Sequence, residues 1–260
     1  MEFGVDAVGA PTHPEPCLGV VEGDSVRELL GNPLTEWRRA ERTWPLNRVK
    51  LVAPILPQPS KIVGVGRNYA EHAAEFSNPV PKEPMIFLKP PSSIIGPDDP
   101  IVLTSLSQNV QHEAEIAVVI GKACSKLPDG ESSQPYILGY TCANDVTARD
   151  LQRADGQWTR GKGFDTFCPM GPVIETQVDL AKSSVACFVN GERKQYAPLT
   201  DMIFSVDFLV HWISRMMTLL PGDVISTGTP AGVGPLKAGD VVEVVVDGVG
   251  TLRNPVVAPA

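Results

Sequence analysis

The 260-residue sequence predicts an α+β protein in which β-strands predominate, with a small N-terminal domain ahead of a larger one. Short runs rich in Val and Ile recur along the chain, and Gly or Pro turns separate them, as is typical of strands. A helix is best supported in two segments, residues 69–76 and 204–217. A proline-rich stretch over residues 54–59 separates the two parts, so we predict domains of residues 1–55 and 56–260.

The N-terminal domain is predicted to consist mainly of short strands. Residues 11–16 are rich in turn formers, and residues 17–26 predict two strands around the turn Glu22-Gly23-Asp24. A short polar helix is predicted over residues 33–41, before the extended segment 49–54.

The larger domain is predicted to contain strands joined by tight turns. The runs that predict these strands are residues 62–65, 85–88, 116–120, 185–189, 224–226 and 241–246. Residues 138–145 predict a further buried strand. Helices are predicted over residues 69–76 and 204–217, and the helical spacing of apolar residues in the second indicates core packing.

Composition and charge argue against several classes of protein. The hydrophobic fraction of 43% is typical of soluble globular proteins, and no apolar run approaches the roughly 20 residues that cross a bilayer. A net charge of -8 without a dense basic run disfavours nucleic-acid binding. The N-terminus lacks a secretory pattern, so we expect a cytoplasmic protein. Five scattered cysteines without a C-x-x-C pair argue against disulfides and a zinc knot.

Two glutamates separated by one residue precede the apolar run 116–120. Successive strand side chains point to opposite faces, so Glu113 and Glu115 share one face and Ala114 lies on the other. Two carboxylates beside a buried strand cost free energy unless a cation neutralises them or one takes up a proton. The alternative is a solvated edge strand, because this spacing is common.

A third carboxylate, Asp145, ends the predicted buried strand 138–145. Three carboxylates without Cys or His favour a hard cation, Mg2+ or Mn2+, over zinc. Glu113, Glu115 and Asp145 are therefore the candidate metal ligands.

The segment 66–75 contains a candidate general base. Asn68 is a plausible N-cap, and His72 and Glu75 lie three residues apart on one helical face, so that they can touch. A carboxylate beside an imidazole orients it and stabilises its protonated form, as a base that activates water requires. The alternative is an ordinary surface pair on a short helix.

Polar residues after Asp145 can bind an anionic ligand. Arg149 and Gln152 follow at turn-like distances, and Arg149 can hold a carboxylate through a bidentate pair. Lys162 stands between two glycines, where the backbone can bring an ammonium close to a ligand. The alternative for Lys162 is a solvated surface charge.

The glycine-rich segment 227–234 does not match a nucleotide-binding loop. It has no G-x-x-x-x-G-K-[ST] pattern and does not form a G-x-G-x-x-G turn between a strand and a long helix. We expect it instead to lend Thr229 and backbone N–H groups to an oxygen-rich ligand.

Together these segments resemble the fumarylacetoacetate hydrolase family, in particular its short branch of acylpyruvate hydrolases, oxaloacetate decarboxylases and hydroxyheptadienedioate isomerases. The resemblance covers about residues 49–256. It rests on six motifs in the order found in the family, at residues 66–75, 87–90, 113–115, 144–152, 160–172 and 220–234.

The resemblance implies a fold, a cofactor and a set of roles. The fold consists of mixed β-sheets rolled into a distorted barrel or sandwich, in a protein that is usually a homodimer. Mg2+ or Mn2+ would be bound by Glu113, Glu115 and Asp145. The implied catalytic residues are His72, Glu75 and Lys162. The implied substrate contacts are Arg67, Tyr69, Arg149, Gln152 and Thr229.

The activity expected from this resemblance is hydrolysis of a C–C bond in an acylpyruvate-type 2,4-dioxo acid, because the His72 and Glu75 pair is intact. Cleavage leaves an enolate, whose charge a cation and Lys162 would stabilise. Oxaloacetate decarboxylation and hydroxyheptadienedioate isomerisation are alternatives at the same site. A non-catalytic paralogue that binds metal and a 2-oxo acid is an alternative of another class. The expected partner is a small anionic 2-oxo acid, not nucleic acid or a membrane.

Overall fold

The computed structural model describes residues 2–4, 16–55, 59–75 and 79–259. These residues form four β-sheets and four α-helices, which confirms the strand-rich α+β class. Among them, no helix is long and apolar enough to cross a membrane. All five cysteines are free thiols, and four of them are buried. The predicted turn segment 11–16 lies outside these residues except for its last position, and the boundary at residue 55 stays a prediction.

The N-terminal domain is a five-stranded antiparallel sheet. Its strands are β1 (Glu2–Gly4), β2 (Cys17–Glu22), β3 (Ser25–Gly31), β4 (Trp37–Pro45) and β5 (Lys50–Leu51). Their order is β4-β3-β2-β1-β5, and the predicted turn joins β2 to β3.

The polar helix predicted over residues 33–41 is wrong, because this segment forms a turn followed by β4. Asn32 Oδ1 accepts a hydrogen bond from Leu34 N (2.9 Å), and Asn32 O accepts one from Thr35 N (3.0 Å), which closes a turn. Beyond the turn, β4 pairs with β3, and Arg39 lies over the Trp37 ring. Strand pairing and aromatic packing therefore override a weak helical preference.

The larger domain contains a seven-stranded mixed sheet. Its strands are β6 (Ile62–Gly66), β7 (Met85–Lys89), β8 (Ile94–Ile95), β11 (Ala114–Ile120), β12 (Ile137–Asn144), β14 (Cys168–Glu175) and β17 (Val224–Ser226). They lie in the order β7-β6-β17-β11-β12-β14-β8, with parallel pairing of β6 to β17 and of β14 to β8. The fully buried β11 is therefore the central strand.

Two further sheets complete this domain. One has the strands β9 (Ile101–Val102), β15 (Ser184–Val189), β16 (Glu192–Pro198), β19 (Val241–Val246) and β20 (Gly250–Val257), in the order β16-β15-β19-β20-β9. The other has the strands β10 (Val110–His112), β13 (Thr147–Ala148) and β18 (Gly234–Pro235), in the order β13-β10-β18. Every strand run predicted from Val and Ile content is a strand.

Both faces of β11 are covered, which explains its unbroken apolar run. Ile116 and Val118 pack in the main core with Val185 of β15 and Val244 of β19. Ala117, on the opposite face, packs in a second cluster with residues of β6, β12 and β17. The predicted packing of rolled mixed sheets is therefore confirmed, and the charged pair Glu113 and Glu115 projects on the Ala117 side.

The four helices are α1 (Ala70–Glu75), α2 (Arg149–Asp155), α3 (Thr159–Lys162) and α4 (Val206–Met216). The two predicted helices correspond to α1 and α4 within two residues, and the predicted end of the first, Phe76, lies outside the described residues. Asn68 is not a helix cap. Its buried side chain donates to Phe204 O (3.0 Å) and Thr227 O (2.7 Å), which ties the approach to α4 to the loop after β17.

Candidate active site

Three buried carboxylates meet at one end of the seven-stranded sheet. Glu113 precedes β11, Glu115 is its second residue, and Asp145 follows β12, the antiparallel neighbour of β11. Asp145 N donates to Glu113 O at 2.9 Å, and ligand oxygens of the three residues lie within 4.8 Å of one another. The residues are 4%, 1% and 2% exposed. The alternative of a solvated edge strand is therefore wrong.

Three buried cations surround this acid cluster of Glu113, Glu115 and Asp145. Lys162 Nζ lies 2.7 Å from Glu113 Oε2 and 2.5 Å from Asp145 Oδ2. Lys89 Nζ donates to Asp145 Oδ1 (2.7 Å) and to Lys162 O (2.5 Å), and Arg149 Nη2 pairs with Glu113 Oε1. Lys162 is 2% exposed, so the alternative of a solvated surface charge is wrong.

The environments of Glu113 and Glu115 shift their pKa values in opposite directions. Burial opposes ionisation of Glu113, yet Lys162 and Arg149 hold the pKa of that carboxyl far below its usual range. For Glu115, burial and the charges of Asp145 and Glu113 raise the pKa to about 8. Negative charge is therefore least compensated at Glu115.

A hard divalent cation fits this donor set. The three residues offer only carboxylate oxygens, which Mg2+ and Mn2+ prefer, and a bound cation would relieve the repulsion felt by Glu115. Ser226 Oγ (2.5 Å) and Gly228 N (2.8 Å) both donate to Glu115 Oε2, so this carboxylate is held in place by the last residue of β17 and the loop that follows it.

His72 and Glu75 on α1 form the predicted pair. His72 Nδ1 lies 3.1 Å from Glu75 Oε2, and Glu75 Oε1 accepts from Gly232 N (3.2 Å). A carboxylate can only accept, so Nδ1 carries the proton and Nε2 is the basic nitrogen. Burial lowers the pKa of His72, although Glu113 and Glu75 oppose that shift. His72 is buried, so an ordinary surface pair is the wrong description.

A cavity of about 510 Å³ brings most of the candidate residues together. The polar side chains that line it are Arg67, His72, Glu113, Arg149, Gln152, Arg153, Lys162 and Thr229. Its apolar wall includes Met85, Phe87 and Trp158. Arg67 has a φ of 58°, a left-handed conformation that strains a non-glycine residue and often accompanies function.

Tyr69 does not line this cavity. It packs in the main core, and its hydroxyl has no hydrogen-bond partner among the described residues. Burial and the charges of Glu115 and Asp201 raise the pKa of Tyr69. The substrate contact expected for Tyr69 stays a prediction, without support from its position.

Arg149 and Thr229 are held by protein groups at the cavity wall. Arg149 donates through Nε to Gln111 Oε1 (2.9 Å) and through Nη1 to Gln152 Oε1 (2.6 Å), in addition to its pair with Glu113. Thr229 Oγ1 donates to Ala114 O at 2.9 Å. The guanidinium of Arg149 is thus directed at protein groups, with Glu113 as its carboxylate partner, and the contact of Arg149 with a substrate carboxylate stays a prediction.

Sequence reasoning gave no role to Lys89, Arg153 or Gln195. A lysine within the apolar run of β7 is a signal that could have identified Lys89. Arg153 lies four residues after Arg149, on the same face of α2. Gln195 alternates with exposed residues in a polar strand, and its burial depends on distant partners that no local pattern reveals.

Comparison with family models gives two matches. The model described as "Fumarylacetoacetate (FAA) hydrolase C-terminal" matches residues 61–257. A second model, described as "Rv2993c-like, N-terminal", matches residues 12–54.

Named relatives cover most of the chain. Oxaloacetate tautomerase fahd2, mitochondrial, from Xenopus laevis is 46% identical over 223 residues, which cover 81% of this chain and 69% of that protein. The structure of 5-carboxymethyl-2-hydroxymuconate delta-isomerase from Mycobacterium smegmatis is 44% identical, with a TM-score of 0.88 over 99% of this chain and 100% of that one. The structure of 2-hydroxyhepta-2,4-diene-1,7-dioate isomerase from Mycobacterium marinum is 44% identical. It has a TM-score of 0.84 and covers 99% of this chain and 98% of that one.

Proposed function

The chain belongs to the fumarylacetoacetate hydrolase family, and we propose that it is an enzyme that transfers a proton between carbon and oxygen in a small 2-oxo dicarboxylic acid. The observation that carries the proposal is that His72, Glu113 and Lys162 line one cavity. The relatives named as a tautomerase and as isomerases support proton transfer as the reaction. Hydrolysis, which the sequence placed first, becomes the second candidate.

His72 is the proposed base. Its neutral imidazole takes a proton from the carbon next to the 2-oxo group, and the hydrogen bond from Nδ1 to Glu75 stabilises the imidazolium that forms. The electron pair of the broken C–H bond forms the C=C bond, the π pair of the carbonyl moves to the 2-oxo oxygen, and the imidazolium of His72 returns its proton to that oxygen to give the enol. The reverse sequence returns the proton to carbon.

Lys162 is the proposed stabiliser of the negative charge on oxygen. Its ammonium is buried, and Asp145 and Glu113 raise its pKa despite burial, so it remains charged at neutral pH. A divalent cation held by Glu113, Glu115 and Asp145 would supply Lewis acidity toward the 2-oxo oxygen. The charge therefore develops where the ammonium of Lys162 is already in place.

The charge of the cavity supports a dianionic substrate. Arg67 and Arg153 line the cavity besides Arg149, and guanidinium groups bind carboxylates through paired hydrogen bonds. One carboxylate next to the 2-oxo group and a second at the far end would match these cations. Oxaloacetate is the smallest substrate of this kind.

The test is a tautomerisation assay with oxaloacetate and Mg2+, with His72→Gln and Glu115→Gln as variants. Removal of the base is expected to lower kcat by about 100-fold or more while Mn2+ still binds. Glu115→Gln is expected to abolish Mn2+ binding with the fold retained. If the unsubstituted enzyme does not accelerate tautomerisation, the proposal is wrong.

Hydrolysis of acylpyruvates is the second candidate, because the 3.1 Å pair of His72 and Glu75 could equally activate water. Acetylpyruvate and fumarylpyruvate test it directly, and release of pyruvate and carbon dioxide from oxaloacetate tests the decarboxylase alternative. Binding of a 2-oxo acid without any turnover would identify the silent paralogue. The expected homodimer stays a prediction that sedimentation velocity would check.

A further inference from the structure

Gln195 lies behind the cavity wall, and its amide makes four hydrogen bonds. It is a residue of β16 with 1% exposure and does not line the cavity. Nε2 donates to Thr229 Oγ1 (2.7 Å) and Pro230 O (2.7 Å). Oε1 accepts from Ala114 N (3.1 Å) and lies 3.0 Å from His112 Nδ1. All the hydrogen-bonding capacity of the amide is therefore used.

The backbone partners fix the orientation of this amide. Pro230 O can only accept and Ala114 N can only donate, so Nε2 faces the loop after β17 and Oε1 faces the start of β11. Thr229 Oγ1 consequently receives a hydrogen from Gln195 and gives its own to Ala114 O (2.9 Å). Gln195 thus holds the N–H of Ala114 directly, and it holds the C=O of Ala114 through Thr229.

Ala114 is the residue between the two glutamates of the acid cluster. Its backbone orientation sets the directions of the Glu113 and Glu115 side chains, because the three residues form one extended segment. The loop that carries Thr229 also packs tightly on β16, since a Cβ on Gly232 would lie 2.1 Å from Lys194 O. Gly232 N in turn contacts Glu75.

We propose that Gln195 is a positioning residue that holds Glu113 and Glu115 in metal-binding geometry, directly through Ala114 N and indirectly through Thr229. This inference rests on the proposed metal site. Loss of an outer partner of a metal ligand typically lowers metal affinity by about 10–100-fold. Gln195 directs its hydrogen bonds to groups other than the side chains of the metal ligands, and it is expected to have an effect of this kind through the backbone.

The test compares Mn2+ affinities, measured by titration calorimetry, of the unsubstituted protein and Gln195→Met. The Met side chain keeps the length and removes all four hydrogen bonds. We expect Mn2+ affinity to fall about tenfold or more. The matched control is Asn254→Leu on β20, because Asn254 is also 1% exposed and donates to Gly96 O (2.8 Å) and Asp99 O (2.9 Å), neither of which belongs to the acid cluster. It should lower Tm without changing Mn2+ affinity.

A second variant separates the direct link from Gln195 to Ala114 N from the indirect link through Thr229 to Ala114 O. It also tests the proposal if Gln195→Met does not fold. Thr229→Val removes only the hydroxyl link and is expected to reproduce part of the loss of Mn2+ affinity. The double variant should lose less affinity than the sum of the two single losses, because both residues act through Ala114.

Three outcomes would overturn the proposal. Equal Mn2+ affinity of the unsubstituted protein and Gln195→Met, with a Tm loss like that of Asn254→Leu, would show that Gln195 is only structural. Unchanged Mn2+ affinity in Thr229→Val would show that the link from Gln195 through Thr229 to Ala114 O does not affect the metal site. Additive losses of Mn2+ affinity in the double variant would show the same. A lack of Mn2+ binding by the unsubstituted protein would overturn the metal site itself, and this proposal with it.

Discussion

Glu113 and Glu115 are two residues apart, yet their carboxylates have opposite surroundings. Glu113 lies between Lys162 and Arg149, whereas Glu115 accepts from neutral donors and lies beside the charge of Asp145. The neighbouring cations keep Glu113 ionised, whereas a bound metal cation would stabilise the ionised form of Glu115 most. Two adjacent positions on one strand face thus contribute differently to the same site.

The pH dependence of turnover is expected to follow His72. Burial lowers its pKa below the ordinary 6.5, with Arg149 acting in the same direction and Glu113 and Glu75 opposing it. The base is therefore neutral at pH 7, and kcat/KM should fall only as pH drops below about 6.5. A pH profile of oxaloacetate tautomerisation checks this. An acid limb centred above that value, or one that persists in His72→Gln, would contradict the assignment.

Lys162→Met is expected to destabilise the protein strongly. The change removes the buried cation that Glu113 and Asp145 share and leaves them only Arg149 and Lys89 as partners, and breaking a buried ion pair costs about 3–5 kcal/mol. Denaturant unfolding measures the loss. Lys182→Met is the control, because the exposed pair of Lys182 with Asp179 should contribute nothing measurable. Similar losses in the two variants would show that the Lys162 pairs are not stabilising.

At the scale of elements, strands with strong apolar content were predictable and short polar elements were not. The runs that became β6, β11, β15, β17 and β19 are rich in Val and Ile, which suit a buried sheet. The helix α3 spans only four residues, and the seven residues of α2 include only two apolar ones, Leu151 and Ala154, too few for a periodic signal. In the segment 33–41, the pairing of β4 with β3 outweighed the helical preference of the local sequence.

Gly66 at the end of β6 sets the position of the Trp158 ring in the cavity wall. A Cβ at residue 66 would lie 2.5 Å from Trp158 Cζ3, so Gly66→Ala is expected to push the indole into the cavity and raise KM for oxaloacetate. Steady-state kinetics checks the effect. Trp158→Leu in the same chain should relieve the clash and restore KM in part. An unchanged KM in Gly66→Ala would show that the indole of Trp158 does not move into the cavity.

At the scale of the whole molecule, the acid cluster was predictable but its surroundings were not. Alternation within one strand placed Glu113 and Glu115 together, and the next buried strand brought Asp145 beside them. The contact of Glu115 with Ser226 joins residues 111 positions apart, and that of Gln195 with Ala114 spans 81. Such contacts depend on how the sheets pack, which local patterns do not encode.

The cations in the cavity wall and the overall charge of the molecule have opposite signs. Arg67, Arg153 and Lys162 line the cavity, while the chain carries a net charge of -8. Beyond a Debye length, about 10 Å in 0.1 M salt, an approaching dianion experiences mainly repulsion, and only inside the cavity does attraction dominate.

Added KCl is therefore expected to raise kcat/KM for oxaloacetate between about 0.01 and 0.1 M, because ions screen the distant repulsion more than the contacts at short range. Initial rates at low substrate concentration measure this, with a neutral osmolyte in place of KCl as the control. A steep fall of kcat/KM with added KCl would show instead that the cations of the cavity wall attract the substrate at long range. If the rate rises, the speed of capture depends on the ions of the medium, and dilute buffer would understate the efficiency of the enzyme.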